Sequence, residues 1–264
     1  MQYSICETSL RTGTFAADVA LASECGATAV ALMEEDLLYA GVAEAHRILD
    51  DSGLAVSSLM GVQAWPTDGG DIDQEALKGA FDRAAGVGAP GVLVLAGYSR
   101  YQRVQDADDE LLRRLELAAD VARPLGLAVY LEPVHPVFRP LSHVHTLGHA
   151  ARLARQVQSV LVTVDTGHVW WDPDIFDAFE ANIDLIATVQ LSDVSVAAED
   201  LRRYRRVQLG TGDVPFSSLL PSFVTAGFTG YFENEVNVNV PAEDRAAFLR
   251  QGRAVIEGAL GSQP

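Results

Sequence analysis

Lysine is almost missing from this chain of 264 residues. The one present, Lys78, lies in Gln74-Glu-Ala-Leu-Lys-Gly-Ala, which reads as a helix. A Schiff-base mechanism needs a desolvated lysine in a pocket, so that class is close to excluded. Cysteine is nearly as rare: Cys6 and Cys25 are too few for a disulfide framework or a zinc site, and buried packing is the simpler role for Cys6 at the end of the first strand pattern. Basic residues number 19 against 36 acidic ones, a formal charge of −17, so a nucleic-acid backbone would be repelled over most of the surface. No apolar run approaches the roughly 18 residues of a membrane span, and the N-terminus lacks the basic-then-apolar form of a signal peptide. The expected location is the cytoplasm, with neither membrane nor nucleic acid as a partner. No low-complexity stretch or linker interrupts the chain, and Gly210-Thr-Gly212 is one turn. A single domain over 1–264 is expected, close to the roughly 250 residues of an eight-stranded barrel.

What the sequence does contain is apolar runs at 2–6, 28–33, 54–60, 91–96, 127–132, 160–165, 186–190 and 230–236. They alternate with helical spacing at 14–25, 42–51, 71–87, 108–123, 145–156, 173–182, 217–226 and 241–260. Gly26 and Gly53 stand where a C′ glycine closes a helix. Eight apolar strands without polar alternation, each followed by a helix, argue for an all-parallel sheet covered by helices. The rival, an open doubly wound sheet, normally binds its ligand after the first strand, often on a Gly-rich loop, and no G-x-G-x-x-G follows strand one. The predicted fold is α/β, a (β/α)8 TIM barrel. The segment 195–212 shows neither strand nor helix along its length and is expected to be a functional loop.

Four strand patterns in the second half end on an oxygen donor: Leu127-Ala-Val-Tyr-Leu-Glu132, Val160-Leu-Val-Thr-Val-Asp165, Ile186-Ala-Thr-Val-Gln190 and Gly230-Tyr-Phe-Glu-Asn-Glu235. An unpaired carboxylate is costly to desolvate, so each belongs at the strand's end and needs a cation. In a barrel those ends converge on one site. The set is all oxygen, which suits a hard divalent ion, Mg²⁺ or Mn²⁺, better than zinc. Each residue taken singly is equally explained as a strand-end hydrogen bond or a helix cap. Glu233 and Glu235 are two apart and share a strand face; Glu235 is nearer the rim and is preferred, with Glu233 in a supporting or ion-pair role.

His135 and His168 follow Glu132 and Asp165 at the same interval of three, where an imidazole could hydrogen-bond a substrate hydroxyl or move a proton. His143, His145 and His149 read as surface or capping residues, and His46 lies in a helix. Trp170, Trp171 and Trp65 can roof a pocket and face sugar C–H surfaces. Arg206, in a run with Arg202, Arg203 and Arg205, can anchor an anionic or hydroxyl-rich group.

Leu131-Glu-Pro, Val164-Asp-Thr-Gly-His168, Gln190-Leu-Ser-Asp193, Leu209-Gly-Thr-Gly-Asp213 and Gly230-Tyr-Phe-Glu-Asn-Glu235, in that order, resemble the xylose isomerase-like barrel superfamily, often described as sugar phosphate isomerases/epimerases. The resemblance implies that Glu132, Asp165, Gln190 and Glu235 hold one divalent cation (Mn²⁺ or Mg²⁺, with Co²⁺ also used in the family). It implies that Glu132 and Glu235 double as acid/base groups on opposite faces of a keto-sugar, with His135 as a further proton carrier; His168, Arg206 and Trp171 are the expected substrate contacts from their positions. A polarised carbonyl makes the adjacent carbon easier to deprotonate. Many members carry a histidine where this chain has Gln190. That glutamine resembles the 3-dehydroshikimate dehydratase branch, whereas Glu132-Pro-Val-His-Pro136 resembles subunits of C-glycoside deglycosidases. The expectation is a metal-dependent isomerase or epimerase, with a lyase as the alternative and an inert sugar-binding barrel as a third reading. A homodimer or a heteromeric partner subunit is compatible with either.

Overall fold

Runs of Val, Ile, Leu and Ala with no polar alternation are satisfied only in a sheet covered on both faces, and here the sheet closes on itself. The structure is a computed structural model that describes residues 1–97, 103–196, 204–238 and 240–261. Its strands are β1 (Gln2–Cys6), β2 (Ala29–Met33), β3 (Ala55–Met60), β4 (Gly91–Leu95), β5 (Ala128–Glu132), β6 (Val160–Asp165), β7 (Ile186–Leu191), β8 (Asp193–Val196), β9 (Tyr204–Val207) and β10 (Tyr231–Asn234). Eight of these form a closed barrel in the order β1-β10-β7-β6-β5-β4-β3-β2, every neighbouring pair parallel. The closed ring removes the open-sheet rival.

Helices return the chain between the barrel strands. Phe15–Glu24 follows β1, Val42–Ser52 follows β2, Gln74–Gly86 follows β3 and Val104–Ala122 follows β4. Leu147–Ala154, Ile175–Ala181 and Phe216–Thr225 lead into β6, β7 and β10, and Ala242–Gly261 closes the chain. The start and stop signals act as their chemistry requires. The Thr14 side chain accepts from Ala17 N, and Gly26 (φ +76°) lets the chain turn out of the helix. Among the described residues no helix is long and apolar enough to cross a membrane.

The core has two compartments. The larger lies between strands and helices and buries residues such as Ile5, Leu32, Leu59, Phe81, Leu115, Phe179 and Phe223. The smaller fills the barrel interior with Cys6, Ala31, Met60, Leu93 and Tyr130. Gly91 has a packing reason: a Cβ there would collide with the Tyr130 ring, which needs that space in the interior.

Segment 195–212 departs from the expectation of a structureless loop. Asp193–Val196 and Tyr204–Val207 pair as an antiparallel ribbon outside the barrel, with Val194 opposite Arg206 and Val196 opposite Tyr204. The ribbon's strands are four residues each and Tyr204-Arg-Arg-Val207 is mostly polar and part-exposed, too short and too polar for apolar periodicity to mark. Arg202 and Arg203 lie outside the described residues. Three short helices were also unforeseen, Glu7–Leu10, Glu34–Ala40 and Thr166–Val169; the second begins with three acids, which suit a helix N-terminus.

Candidate active site

Parallel register delivers the predicted donors to one end of the barrel. Glu132 and Asp165 are the last residues of β5 and β6, and Gln190 in β7 stands directly beside Asp165 on one side and Glu233 of β10 on the other. Glu235 lies one residue past β10, its backbone N–H bound to Leu191 O at 2.9 Å. Glu132, Gln190 and Glu235 line a cavity of about 230 Å³ whose remaining walls include Thr8, Met33, Met60, Trp65 and Leu95. The cavity therefore has an acidic half, from β5, β7 and β10, and an apolar half, from β2 to β4.

Asp165 is fully buried and heavily satisfied. It accepts from Gly167 N at 2.8 Å, from Ser192 Oγ, and from Arg206, whose Nη2 lies 2.6 Å from Oδ2. Burial alone would raise its pKa, but the Arg206 guanidinium, with His168 and these hydrogen bonds, brings it down to about 2. Gly167 has to be glycine here, because a Cβ would collide with the Ser192 hydroxyl.

The two glutamates behave in the opposite way. Burial, then the Asp165 charge, pushes Glu235 up to about 8, and burial with Asp165 and Glu235 raises Glu132 well above the usual carboxylate range. Among the described residues, three carboxyls thus crowd one site with a single guanidinium against them, and of the three Asp165 alone is held firmly ionised at neutral pH. A divalent cation is the partner such a cluster lacks, so the donor chemistry fits one.

His168 belongs to the same group. Its Nε2 lies 3.7 Å from Glu132 Oε1, 3.6 Å from Asp165 Oδ2 and 3.2 Å from Arg206 Nη2. Burial lowers its pKa to about 4, so the ring is neutral; Nε2 accepts from Arg206 Nη2, and the buried Nδ1 has no hydrogen-bond partner among the described residues. Glu132, Asp165 and His168 present ligand atoms within 4.8 Å of one another, a set able to hold a metal ion. Sequence reasoning cast His168 as a substrate contact or proton carrier; the geometry also makes it a candidate ligand beside Gln190.

Aromatic rings cover this end. Tyr204 of the ribbon lies against His135 at 4.6 Å between ring centroids and against Phe138 at 5.4 Å, and its hydroxyl donates to Gly167 O. Trp171 meets the His135 ring edge-on at 5.6 Å and donates from Nε1 to His168 O at 2.8 Å. His135 Nδ1 accepts from Val137 N at 3.1 Å, so His135 sits in the roof, and no described contact joins it to the carboxyls. Trp65 is in the apolar wall, its Nε1 donating to Leu95 O at 2.7 Å. His143 and His149, read from sequence as surface or capping residues, instead share buried Asp108 with Arg152.

Ser192 and Tyr204 were not anticipated. Tyr204 had a signal: it is two residues before Arg206, so in a strand both side chains share a face. Asp193 explains the paired motifs Gln190-Leu-Ser-Asp193 and Gly210-Thr-Gly-Asp213. Its carboxylate accepts from Gly210 N at 2.9 Å, Gly212 N at 2.8 Å and Val214 N at 3.1 Å, which ties the loop after β9 to the end of β7.

Comparison with known proteins agrees with this geometry. A comparison with curated protein sequences finds no match. Among solved structures, a protein of Sinorhizobium meliloti 1021 shares 25% identity over 97% of both chains with a TM-score of 0.82. The 3-keto-D-glucoside 4-epimerase of E. coli shares 20% over 98% of this chain and 99% of its own, with a TM-score of 0.81. An IolI protein with a bound zinc atom shares 16% over 98% and 99%, with a TM-score of 0.84. The family model described as xylose isomerase-like TIM barrel matches residues 19–253, and with a closed eight-stranded barrel carrying its acids at the strand ends, the chain belongs to the xylose isomerase-like TIM barrel family.

Proposed function

We propose that the protein is a divalent-cation-dependent isomerase or epimerase of a keto-sugar or related polyhydroxy ketone. The observation that carries this reading is the convergence of Glu132 and Glu235 on one cavity, with buried Asp165 next to Gln190 behind it, Glu132 and Glu235 shifted toward neutrality and Asp165 held charged by Arg206. The 3-keto-D-glucoside epimerase neighbour supports the class.

Glu132, Asp165 and Glu235, with Gln190 or His168, would hold the cation. When bound, it would make Glu132 and Glu235 easier to ionise and would polarise a substrate carbonyl. The all-oxygen set with Gln190 favours Mg²⁺ or Mn²⁺; recruitment of the His168 imidazole would admit Co²⁺ or zinc. Glu132 and Glu235 come from β5 and the end of β10, with β6 and β7 between them, so one, ionised, accepts the proton from the carbon beside the carbonyl and the other, still protonated, delivers its proton from the opposite face. His168 and Arg206 bind hydroxyls at the acidic side. Met33, Trp65 and Leu95 shield the reacting carbon from water, and Trp171 and His135 close the roof. His135 acts there as a positioning group for Tyr204 and Trp171 more readily than as a base, which weakens the deglycosidase-like elimination. The charge of −17 favours a small uncharged substrate over a nucleic acid.

The test is proton NMR in D₂O with Mg²⁺-loaded protein, a panel of ketoses, inosose-type ketones and 3-dehydroshikimate, and an EDTA control. Cation-dependent deuterium uptake beside the carbonyl, with all hydroxyls retained, is expected. Loss of water or of an aglycone would instead assign a lyase.

A further inference from the structure

Among the buried acids that take no part in that scheme, one lies in the barrel wall beside a proposed ligand. Glu233 is fully buried in β10, its Oε1 accepting from Ser58 Oγ at 3.1 Å and its Oε2 without a hydrogen-bond partner among the described residues. The barrel interior around it is Cys6, Met60 and Tyr130, with Ser57 bound to Ser4 at 2.8 Å. An under-satisfied carboxylate in such a place lowers stability. A residue retained against that cost calls for another reason.

Its neighbour in register supplies one. Gln190 stands beside Glu233 across the β7–β10 pair, and its amide nitrogen donates to Met60 Sδ at 3.0 Å. Burial pushes the Glu233 carboxyl above its usual range, and the Ser57 and Ser58 hydroxyls and the Gln190 amide, the polar groups around it, work against that rise. Both groups facing this end of the amide, a carboxylate and a thioether sulfur, are acceptors, and neither can tolerate the amide oxygen in its place. The nitrogen is therefore turned inward, and the oxygen is left for the cavity that Gln190 lines. A carboxylate ligand has no such choice to make, since both its ends are oxygen. An amide does: rotated by half a turn it would present an N–H to a cation.

We propose that Glu233 is a positioning residue that fixes the orientation of the Gln190 amide, so that a glutamine serves as an oxygen ligand at this position in the barrel. Glu233 does not touch the cation; it acts through Gln190. The inference rests on the cation site proposed above, and the experiment separates the two.

Mn²⁺ is titrated into metal-free wild type, Glu233→Leu, Gln190→Ala and the double variant, with free Mn²⁺ read by electron paramagnetic resonance and the melting temperature of each metal-free protein recorded. In the wild-type background Glu233→Leu is expected to weaken Mn²⁺ about 10- to 100-fold, the usual effect of removing a group that orients a ligand. In the Gln190→Ala background it is expected to change affinity by no more than about twofold, within the scatter of independent mutations. Metal-free Glu233→Leu should melt at least about 2 °C higher than wild type. A merely structural role would lower the melting temperature; a long-range charge effect would weaken Mn²⁺ equally in both backgrounds. Either result overturns the proposal, as does unchanged affinity. If Glu233→Leu does not fold, Glu233→Gln takes its place in the same cycle. It offers a donor and an acceptor and so no longer dictates the amide's direction, and weakening confined to the Gln190 background is again expected. Wild type that binds no Mn²⁺ at all would instead refute the cation site.

Discussion

Glu235 and Asp165 are neighbours whose pKa values are driven apart, and the pair sets a pH dependence of definite sign. Asp165, brought down to about 2 from an ordinary 3.8, contributes stability above pH 3.8 that is lost as pH falls through 2. Glu235, raised to about 8 from an ordinary 4.5, contributes in the other direction: the folded state holds its proton more tightly, and stability declines as pH rises from 4.5 through 8. Metal-free protein should thus lose stability to urea between pH 5 and 8, and Mg²⁺ or Mn²⁺ should restore it. Cation affinity should rise across the same range, because the ligands must shed protons to bind. Calorimetric titration in buffers of different ionisation enthalpy would register that proton release. A flat affinity between pH 6 and 9 would mean that Glu235 is not a ligand. Arg206 gives a second prediction at this scale. Arg206→Ala strips a buried carboxylate of its cation and should destabilise metal-free protein by about 3 kcal/mol or more, as read by urea unfolding.

At the scale of elements, the functional end is built from the barrel plus one appendage, the ribbon of β8 and β9. The barrel strands were legible in the sequence because each is a continuous apolar run ended by a turn signal, and the donors Glu132, Asp165, Gln190 and Glu235 were legible because a carboxylate or amide at such a position is conspicuous. The ribbon was not. Its inward residues, Tyr204 and Arg206, are satisfied by Gly167 O and Asp165, so polar contacts replaced the apolar pattern that reveals a strand. Ser192 and Glu233 escaped a definite role for a related reason, since each is explained by a neighbour on another strand that linear spacing does not display. Asp193 tests whether the ribbon and its following loop are held as one unit. Asp193→Ala frees Gly210, Gly212 and Val214 N–H groups together, and at about 1.5–3 kcal/mol per hydrogen bond to a charged group the loss should exceed that of an ordinary surface mutation. Limited proteolysis should then cut near Gly210 in the variant and spare the wild type.

For the whole molecule, a charge of −17 predicts no binding to duplex DNA at low salt, where nonspecific attraction is strongest; fluorescence anisotropy with a labelled duplex would reveal any. The ring itself is uneven. β2 and β3 share five register pairs and β4 and β5 share five, whereas β3 and β4 share only Leu59 with Val92. Both strands of that thin seam supply the apolar wall of the cavity, through Met60, Leu93 and Leu95. A closed ring held so lightly at one joint should breathe there before it unfolds anywhere else. In hydrogen exchange, amides along the β3–β4 joint should trade for deuterium ahead of those between β5, β6 and β7. The acids would then keep their mutual spacing while the opposite wall yields, giving a site whose acidic half is rigid and whose tolerance for the shape of a bound molecule resides in a single hinge line.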